Sequence, residues 1–241
     1  MTVKEHYDNH LGNFYSWMCG DFEQKQKEFS QFLRNNHLTP KASKFAIDLG
    51  AGHGIHAKAL AQSGFHVEAV DFNEQLLQEL KQNAGNLPVN ACAGNILDIK
   101  KYKEKSPEMV LCMGDTIAHL QSFTEIGQFI NDIYEILTAK GKFIVSFRDY
   151  STELKDEARF IHVKSDSERI LTCFLEYFPE KIRVTDILYT KDNTEWKQTA
   201  SSYFKVKITK DFMLSQLQKA GFTVISDSIE NRMIHLVAEK Q

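Results

Sequence analysis

"FAIDLGAGHGIHAKAL", residues 45–60, sets an apolar run containing Ile47 and Leu49 directly against Gly50, Gly52 and Gly54, followed by a segment able to open a helix. Strand, glycine turn and helix together hold nucleotide-like ligands. Small residues let the backbone approach the ligand closely, and the helix N-terminus offers free N–H groups. The G-x-G-x-x-G fingerprint of dinucleotide enzymes has one more residue between its second and third glycines. Here the spacing is tighter, and Asp48 precedes the turn inside the strand end. By itself the turn leaves a dinucleotide and another adenosine-type ligand both open.

Outward from this turn, short apolar runs alternate with helix-like segments: strands at 45–49, 65–70, 89–92, 109–113 and 142–147, helices at 56–62, 74–82 and 124–137. Such alternation implies βαβ units and an α/β fold, a doubly wound and mostly parallel sheet covered on both faces. Residues 10–37 read as one helix with Phe22, Phe29, Phe32 and Leu33 as its apolar stripe, ending before Pro40. After Tyr150 the rhythm changes, and β-rich runs are separated by the turn-like "KSDSE", "FPEK" and "KDNTE". This is an antiparallel insertion after the fifth strand, too short to stand as an independent domain. A helix at 210–220 and strands at 222–227 and 233–238 close a seven-stranded sheet.

The chain of 241 residues is 42% hydrophobic, enough for a full core, and its net charge of −3 gives no general attraction to nucleic acid or anionic membrane. The densest basic stretch, "KKYKEK" at 100–105, is interrupted by a glutamate. No window reaches the roughly 20 apolar residues of a membrane helix, and the N-terminus lacks a basic-then-apolar leader, so a cytoplasmic protein is expected. Cys19, Cys92, Cys112 and Cys173 lie far apart without a C-x-x-C pair, which points to free thiols. His53 and His56 have no partner at ligand spacing, and no metal site is expected.

The second half of the ligand signal is Asp71, which closes the strand "FHVEAVD". In a doubly wound sheet this carboxylate stands beside the first glycine turn, where it can accept both hydroxyls of a ribose; the competing role is a helix cap. "IDLGAGHG", "VEAVDFNEQLL", "AGNILDI" and "LTAKGKFIVSF" occur in the order and spacing of class I S-adenosylmethionine-dependent methyltransferases, which nearly the whole chain resembles. The resemblance implies a Rossmann-like methyltransferase fold with S-adenosylmethionine as cofactor and S-adenosylhomocysteine as product. It implies that Gly50, Gly52 and Gly54 pack on the methionine moiety, Asp71 binds ribose, Phe72 lies on the adenine, and Asn95 with Ile96 faces its edge. Asp48, Ala51, Met113 and Gly114 complete the expected cofactor set. Core packing is the alternative for Phe72 and Ile96.

Two polar clusters fall at strand mouths, "GDTIAHL" (114–120) after the fourth strand and "FRDY" (147–150) after the fifth. An arginine there presents a planar fork suited to a carboxylate; the alternative is an ion pair with Asp149 or a helix cap. Both clusters resemble those of glycine and sarcosine N-methyltransferases. That resemblance implies that Arg148 holds an acceptor carboxylate and that Tyr15, Trp17 and Met18 of "NFYSWMCGD" form a lid over the cofactor. It also implies an arginine on the helix before the glycine turn, for which Arg34 is the candidate. Asp115, Asp149 and Ser151 depart from the subgroup, and two extra carboxylates suggest a more cationic or hydroxyl-rich acceptor.

The expected layout is a single domain: an N-terminal helical lid (1–40), a cofactor core (41–150), the insertion over the acceptor (151–208), and a C-terminal helix with closing strands (209–241). The expected reaction is in-line attack of a small-molecule amine, one that carries a carboxylate, on the sulfonium methyl. Asp115, His119 and Tyr15 are the catalytic candidates placed to orient or deprotonate it, and Asp115, His119, Arg148 and Tyr150 the acceptor-binding ones. N- or O-methylation of a sugar or other metabolite, a nicotinamide oxidoreductase and a non-catalytic cofactor-binding protein remain alternatives. No Asn/Asp-Pro-Pro-aromatic tetrapeptide for a base amine is present, which argues against nucleic-acid methylation. A homodimer is compatible with all of this.

Overall fold

The structure, a computed structural model, describes residues 1–230 and 232–241. Helices α1 (Val3–Asn9), α2 (Tyr15–Cys19) and α3 (Phe22–Asn35) lead into strand β1 (Phe45–Leu49), helix α4 (Ile55–Gln62), strand β2 (His66–Asp71), helix α5 (Glu74–Ala84) and strand β3 (Val89–Ala93). Strand β4 (Met109–Cys112), helix α6 (Phe123–Ile136) and strand β5 (Lys142–Phe147) follow. Four strands then come in succession, β6 (Phe160–Ser165), β7 (Arg169–Tyr177), β8 (Lys181–Asp192) and β9 (Glu195–Val206). Helix α7 (Lys210–Ala220) and strands β10 (Phe222–Glu230) and β11 (Met233–Lys240) end the chain. Contacts divide the chain into two units, residues 21–149 with 208–241, and residues 1–20 with 150–207.

In the larger unit the strand order is β10-β11-β5-β4-β1-β2-β3. β1 through β5 pair in parallel, while β11 runs antiparallel to β5 and to β10. The apolar runs of β1, β4 and β5 are buried along their length, as strands covered on both faces must be. Leu76, Leu77 and Leu80 of α5 and Ile126, Phe129, Ile130 and Ile133 of α6 supply buried helical stripes. Each such side chain is worth roughly 1.5–3 kcal/mol of burial. The order reverses between β1 and β4, and this switch point opens a crevice at the carboxyl ends of the strands.

The smaller unit is an antiparallel sheet in the order β6-β7-β8-β9. One of its faces carries Leu171, Leu175, Ile182, Val184 and Leu188, all buried, and Leu11 and Phe14 pack on Leu171 and Leu188. His6 of α1 is fully buried; its Nδ1 lies 2.7 Å from Ser201 Oγ and its Nε2 3.1 Å from Asp186 Oδ2. The Cys173 thiol donates to the other Asp186 oxygen at 2.7 Å. This buried polar network fastens α1 to β8 and β9.

The single helix expected over 10–37 is instead broken into α2, α3 and a short 3-10 turn at Leu11–Asn13. Gly20, at φ +86°, takes a positive-φ conformation that ends α2, and Asp21 caps α3 by accepting from the Gln24 N–H at 3.0 Å. The break also assigns the two pieces to different units.

Candidate functional site

Each glycine of the turn is needed for backbone reasons. Gly50, Gly52 and Gly54 have φ of +72°, +53° and +98°, which side-chain-bearing residues rarely adopt. A Cβ at Gly50 would stand 2.5 Å from Thr116 Cγ2, and one at Gly54 2.7 Å from Leu80 Cγ. Gly50 therefore touches the 3-10 turn Thr116–His119 that follows β4, which brings the two lips of the switch point together. The N–H groups of Gly50 and Ala51 both reach Val70 O, at 2.8 and 3.1 Å, fixing the turn to the end of β2.

Asp71 ends β2 and anchors that turn. Its Oδ2 accepts from Gly52 N at 2.8 Å and its Oδ1 from Asn73 N at 2.9 Å. The helix cap itself is Asn73, whose side chain accepts from Leu76 N. A carboxylate has about four acceptor positions, so a carboxylate bonded in this way can take hydroxyl donors as well. Gly94 N reaches Asp71 O at 2.9 Å, so the loop with Asn95 and Ile96 starts beside Asp71. Phe72 and Ile96 are half-buried there, and Asn95 is exposed, its side chain accepting from Leu97 N.

Asp48 is 1% exposed, and neither of its carboxylate oxygens has a hydrogen-bond partner among the described residues. Burial, and after it the charge of Asp71, pushes its pKa up to about 7. A buried carboxylate with nothing to neutralise it is a receptor for positive charge. Burial also depresses His53, and holds His56 down to about 3, so neither imidazole supplies that cation at neutral pH.

The mouths of β4 and β5 form one hydrogen-bonded clamp. Gly114 N donates to Ser146 Oγ at 2.8 Å, Asp115 N to Ser146 O at 3.0 Å, and Arg148 N to Asp115 Oδ1 at 3.0 Å. Asp115 is buried and left-handed, with φ of +73°. Met113 is buried beneath it, Gly114 is exposed with open space where a Cβ would be, and His119 is half-buried. Arg148 is exposed, and its guanidinium has no hydrogen bond or ion pair among the described residues. Asp149 accepts from Lys210 N at 3.0 Å, the first N–H of α7, whose cap is Thr209.

Two expectations change, the place of Arg34 and the role of the extra carboxylates. Arg34 is exposed, bonded to Gln31, and lies at the far end of α3 from Phe22, whose ring packs on His53 of the glycine turn. Twelve residues of helix separate the two by about 18 Å. The neighbouring Asn36 and His37 line a cavity with Phe65, Glu108 and Met109 at the amino ends of the strands, opposite the glycine turn. Arg34 is thus not placed for the cofactor. Trp17 belongs to the smaller unit, where its Nε1 donates to Asp166 at 2.6 Å and its ring meets the cations of Arg169 and Lys164. Tyr15 and Met18 pack in the same unit beside Leu11 and Phe14, and Tyr150 beside Leu175 and Ile182. The extra carboxylates Asp115 and Asp149 serve the backbone, which removes the reason to expect a more cationic or hydroxyl-rich acceptor.

Thr116 and Ser146 escaped the sequence reading. Ser146 left one signal, a hydroxyl inside the otherwise apolar "FIVSF".

The sequence profile of the family described as "Methyltransferase domain" matches residues 46–141, the stretch from β1 to the start of β5. The chain is 24% identical to a putative methyltransferase of Geobacillus sp. strain WCH70 over 83% of this chain and 80% of the relative. It is 23% identical to glycine/sarcosine N-methyltransferase of Aphanothece halophytica over 60% of this chain and 59% of the relative. The fold matches the sugar N-methyltransferase KedS8 from Streptoalloteichus sp. ATCC 53650 with a TM-score of 0.73 at 15% identity, covering 95% and 92% of the two chains. The fold also matches the S-adenosylmethionine-bound amino pentose methyltransferase CalS10 from Micromonospora echinaspora with a TM-score of 0.70 at 14% identity, covering 93% and 94% of the two chains. No helix among the described residues is long and apolar enough to cross a membrane.

Proposed function

We propose that the methyltransferase moves a methyl group from S-adenosylmethionine to the nitrogen of a small amine that carries a carboxylate. The observation that carries this reading is Arg148, an unpaired guanidinium at the mouth of β5 whose backbone N–H is held by buried Asp115. A planar fork of this kind binds a carboxylate through two parallel hydrogen bonds. The similarity to glycine/sarcosine N-methyltransferase supports the same acceptor class.

S-adenosylmethionine supplies a methyl already activated by positive sulfur. The task left to the chain is alignment and exclusion of water. The backbone of Gly50–Gly54 and the carboxylate of Asp71 fit an adenosine moiety, and unpartnered Asp48 fits a cation. Asp115 acts through its grip on Arg148, and His119 is the remaining titratable side chain of the turn after β4 able to orient the amine. Phe72, Asn95 and Ile96 are assigned to the adenine end. We place the enzyme in the cytoplasm, in keeping with free thiols at all four cysteines.

The test uses labelled methyl donor with glycine, sarcosine and a metabolite extract, and identifies the product by mass spectrometry. Arg148→Ala is expected to raise the acceptor KM at least tenfold while the Kd for S-adenosylhomocysteine stays within twofold. An unchanged acceptor KM removes the clamp. An amino sugar bearing a phosphate would also satisfy Arg148, and KedS8 lends that reading its fold; a labelled sugar product would decide for it.

A further inference from the structure

Ser146 breaks the pattern of its own strand. The rest of β5 reads Lys142, Phe143, Ile144, Val145 and Phe147, buried from Phe143 onward. Ser146 is 1% exposed, and a hydroxyl so deeply placed is unfavourable unless it is hydrogen-bonded, a penalty that alanine would not carry. The bond it makes lies where β4 leaves the sheet. Cys112 with Val145 is the last pair between β4 and β5. Beyond it the Gly114 N–H meets the Ser146 hydroxyl at 2.8 Å, and the Asp115 N–H meets the Ser146 carbonyl at 3.0 Å.

One residue of β5 thus captures two successive N–H groups of the chain leaving β4. Both residues so held are left-handed, with φ of +68° at Gly114 and +73° at Asp115. Aspartate enters that region more readily than most side chains, yet still at a cost that the surrounding bonds must offset. In this conformation the Asp115 carboxylate turns back to the Arg148 N–H at 3.0 Å. Gly114, Asp115, Ser146 and Arg148 therefore close one ring, with buried Phe147 between its last two members.

We propose that Ser146 is a positioning residue for acceptor capture, fixing the backbone of Arg148 by way of Gly114 and Asp115. The inference rests on the assignment of Arg148 to the acceptor carboxylate. A site that grips its ligand by two parallel hydrogen bonds has to be held to within about 0.5 Å. Arg148 is exposed and its guanidinium has no partner among the described residues, so the fold acts on it through its backbone. Without the hydroxyl, the Gly114 N–H loses its partner and the turn into Asp115 loosens. The cofactor side is held separately: Thr116, which a Cβ at Gly50 would meet, bonds Met113 O through its own hydroxyl at 2.8 Å.

Kinetics with sarcosine as acceptor and amide exchange without any ligand test it together. Ser146→Ala is expected to raise the acceptor KM about three- to tenfold, in line with one lost hydrogen bond, while the Kd for S-adenosylhomocysteine by calorimetry stays unchanged. In the Arg148→Ala background the same substitution adds nothing, because both act on one grip. The Gly114 and Arg148 N–H groups exchange about tenfold faster in Ser146→Ala, whereas those of β4 and β5 keep their protection. A merely structural role instead speeds exchange along both strands and lowers the melting temperature with the acceptor KM unmoved, and that result overturns the proposal. Unchanged exchange at Arg148 overturns it too, as does a KM that rises further in the double variant. Arg148→Ala with an unchanged acceptor KM fails the acceptor assignment instead, and exchange at Arg148 then decides by itself whether Ser146 fixes that backbone.

Discussion

Replacing Asp48 by asparagine isolates the largest unbalanced charge of the cofactor site. The carboxyl is 1% exposed, without a hydrogen-bond partner, and raised from an ordinary 3.8 to about 7. Between those values the folded chain holds a proton that the unfolded chain has lost. This group therefore favours folding most below about pH 4, and the contribution disappears as pH climbs through 7. At 1.36 kcal/mol per unit, the full effect is on the order of 4 kcal/mol. The substituted amide never ionises, so Asp48→Asn should melt with the wild type near pH 4 and above it at pH 8. If half the effect survives relaxation of the site, the gap is about 4–8 °C at roughly 2–4 °C per kcal/mol. Thermal melts of both proteins from pH 4 to 8.5 measure it, and other titrating groups cancel in the difference. Saturating S-adenosylmethionine should narrow the gap at pH 8, because its positive charge compensates ionised Asp48. A gap that does not vary with pH would refute the assignment of Asp48 as a buried, uncompensated acid.

Gly50→Ala should cost both stability and cofactor binding, because its φ is +72° and the new methyl meets Thr116 at 2.5 Å. Adding Thr116→Ala should return part of the melting temperature, and an unaltered single variant would deny the contact. Asp71→Asn leaves one of the N–H groups of Gly52 and Asn73 facing an amide donor, worth about 1–3 kcal/mol, and should raise the Kd for S-adenosylhomocysteine at least tenfold by calorimetry. His6→Ala leaves one buried Asp186 oxygen without its partner while Cys173 keeps the other, and should destabilise the smaller unit by about 1–3 kcal/mol, seen as faster amide exchange over 150–207. Exchange at the wild-type rate would show that the His6 bonds contribute nothing there.

Much of the fold was legible because its signals are local. Apolar runs of β1, β4 and β5 alternate with amphipathic helices at fixed spacing, and glycines that must take positive φ mark the turn between β1 and α4. Asp71 was legible for the same reason, as the acidic end of the next strand. The break of the N-terminal helix was harder to see, since Gly20 and Asp21 compete with an apolar stripe that continues on both sides of them.

Partnerships between residues distant in sequence were not legible. Asp115 and Asp149 look like acceptor ligands when read beside Arg148, yet one grips the Arg148 backbone and the other accepts from the Lys210 N–H at the start of α7, sixty-one residues further on. Nothing in the sequence distinguishes an acid that meets a backbone N–H from one that meets a ligand. Trp17 likewise finds Asp166 and Arg169 only because the chain returns after 149 residues. The sequence by itself determined the parallel sheet, the glycine turn and the class of cofactor, because periodicity and backbone conformation depend on near neighbours. Tertiary structure alone decided that Asp48 is an unpaired buried acid, and that the Arg148 guanidinium is free while Arg34 lies at the far end of its helix from the glycine turn. Burial, and the partners a charge meets, depend on segments that only folding brings together.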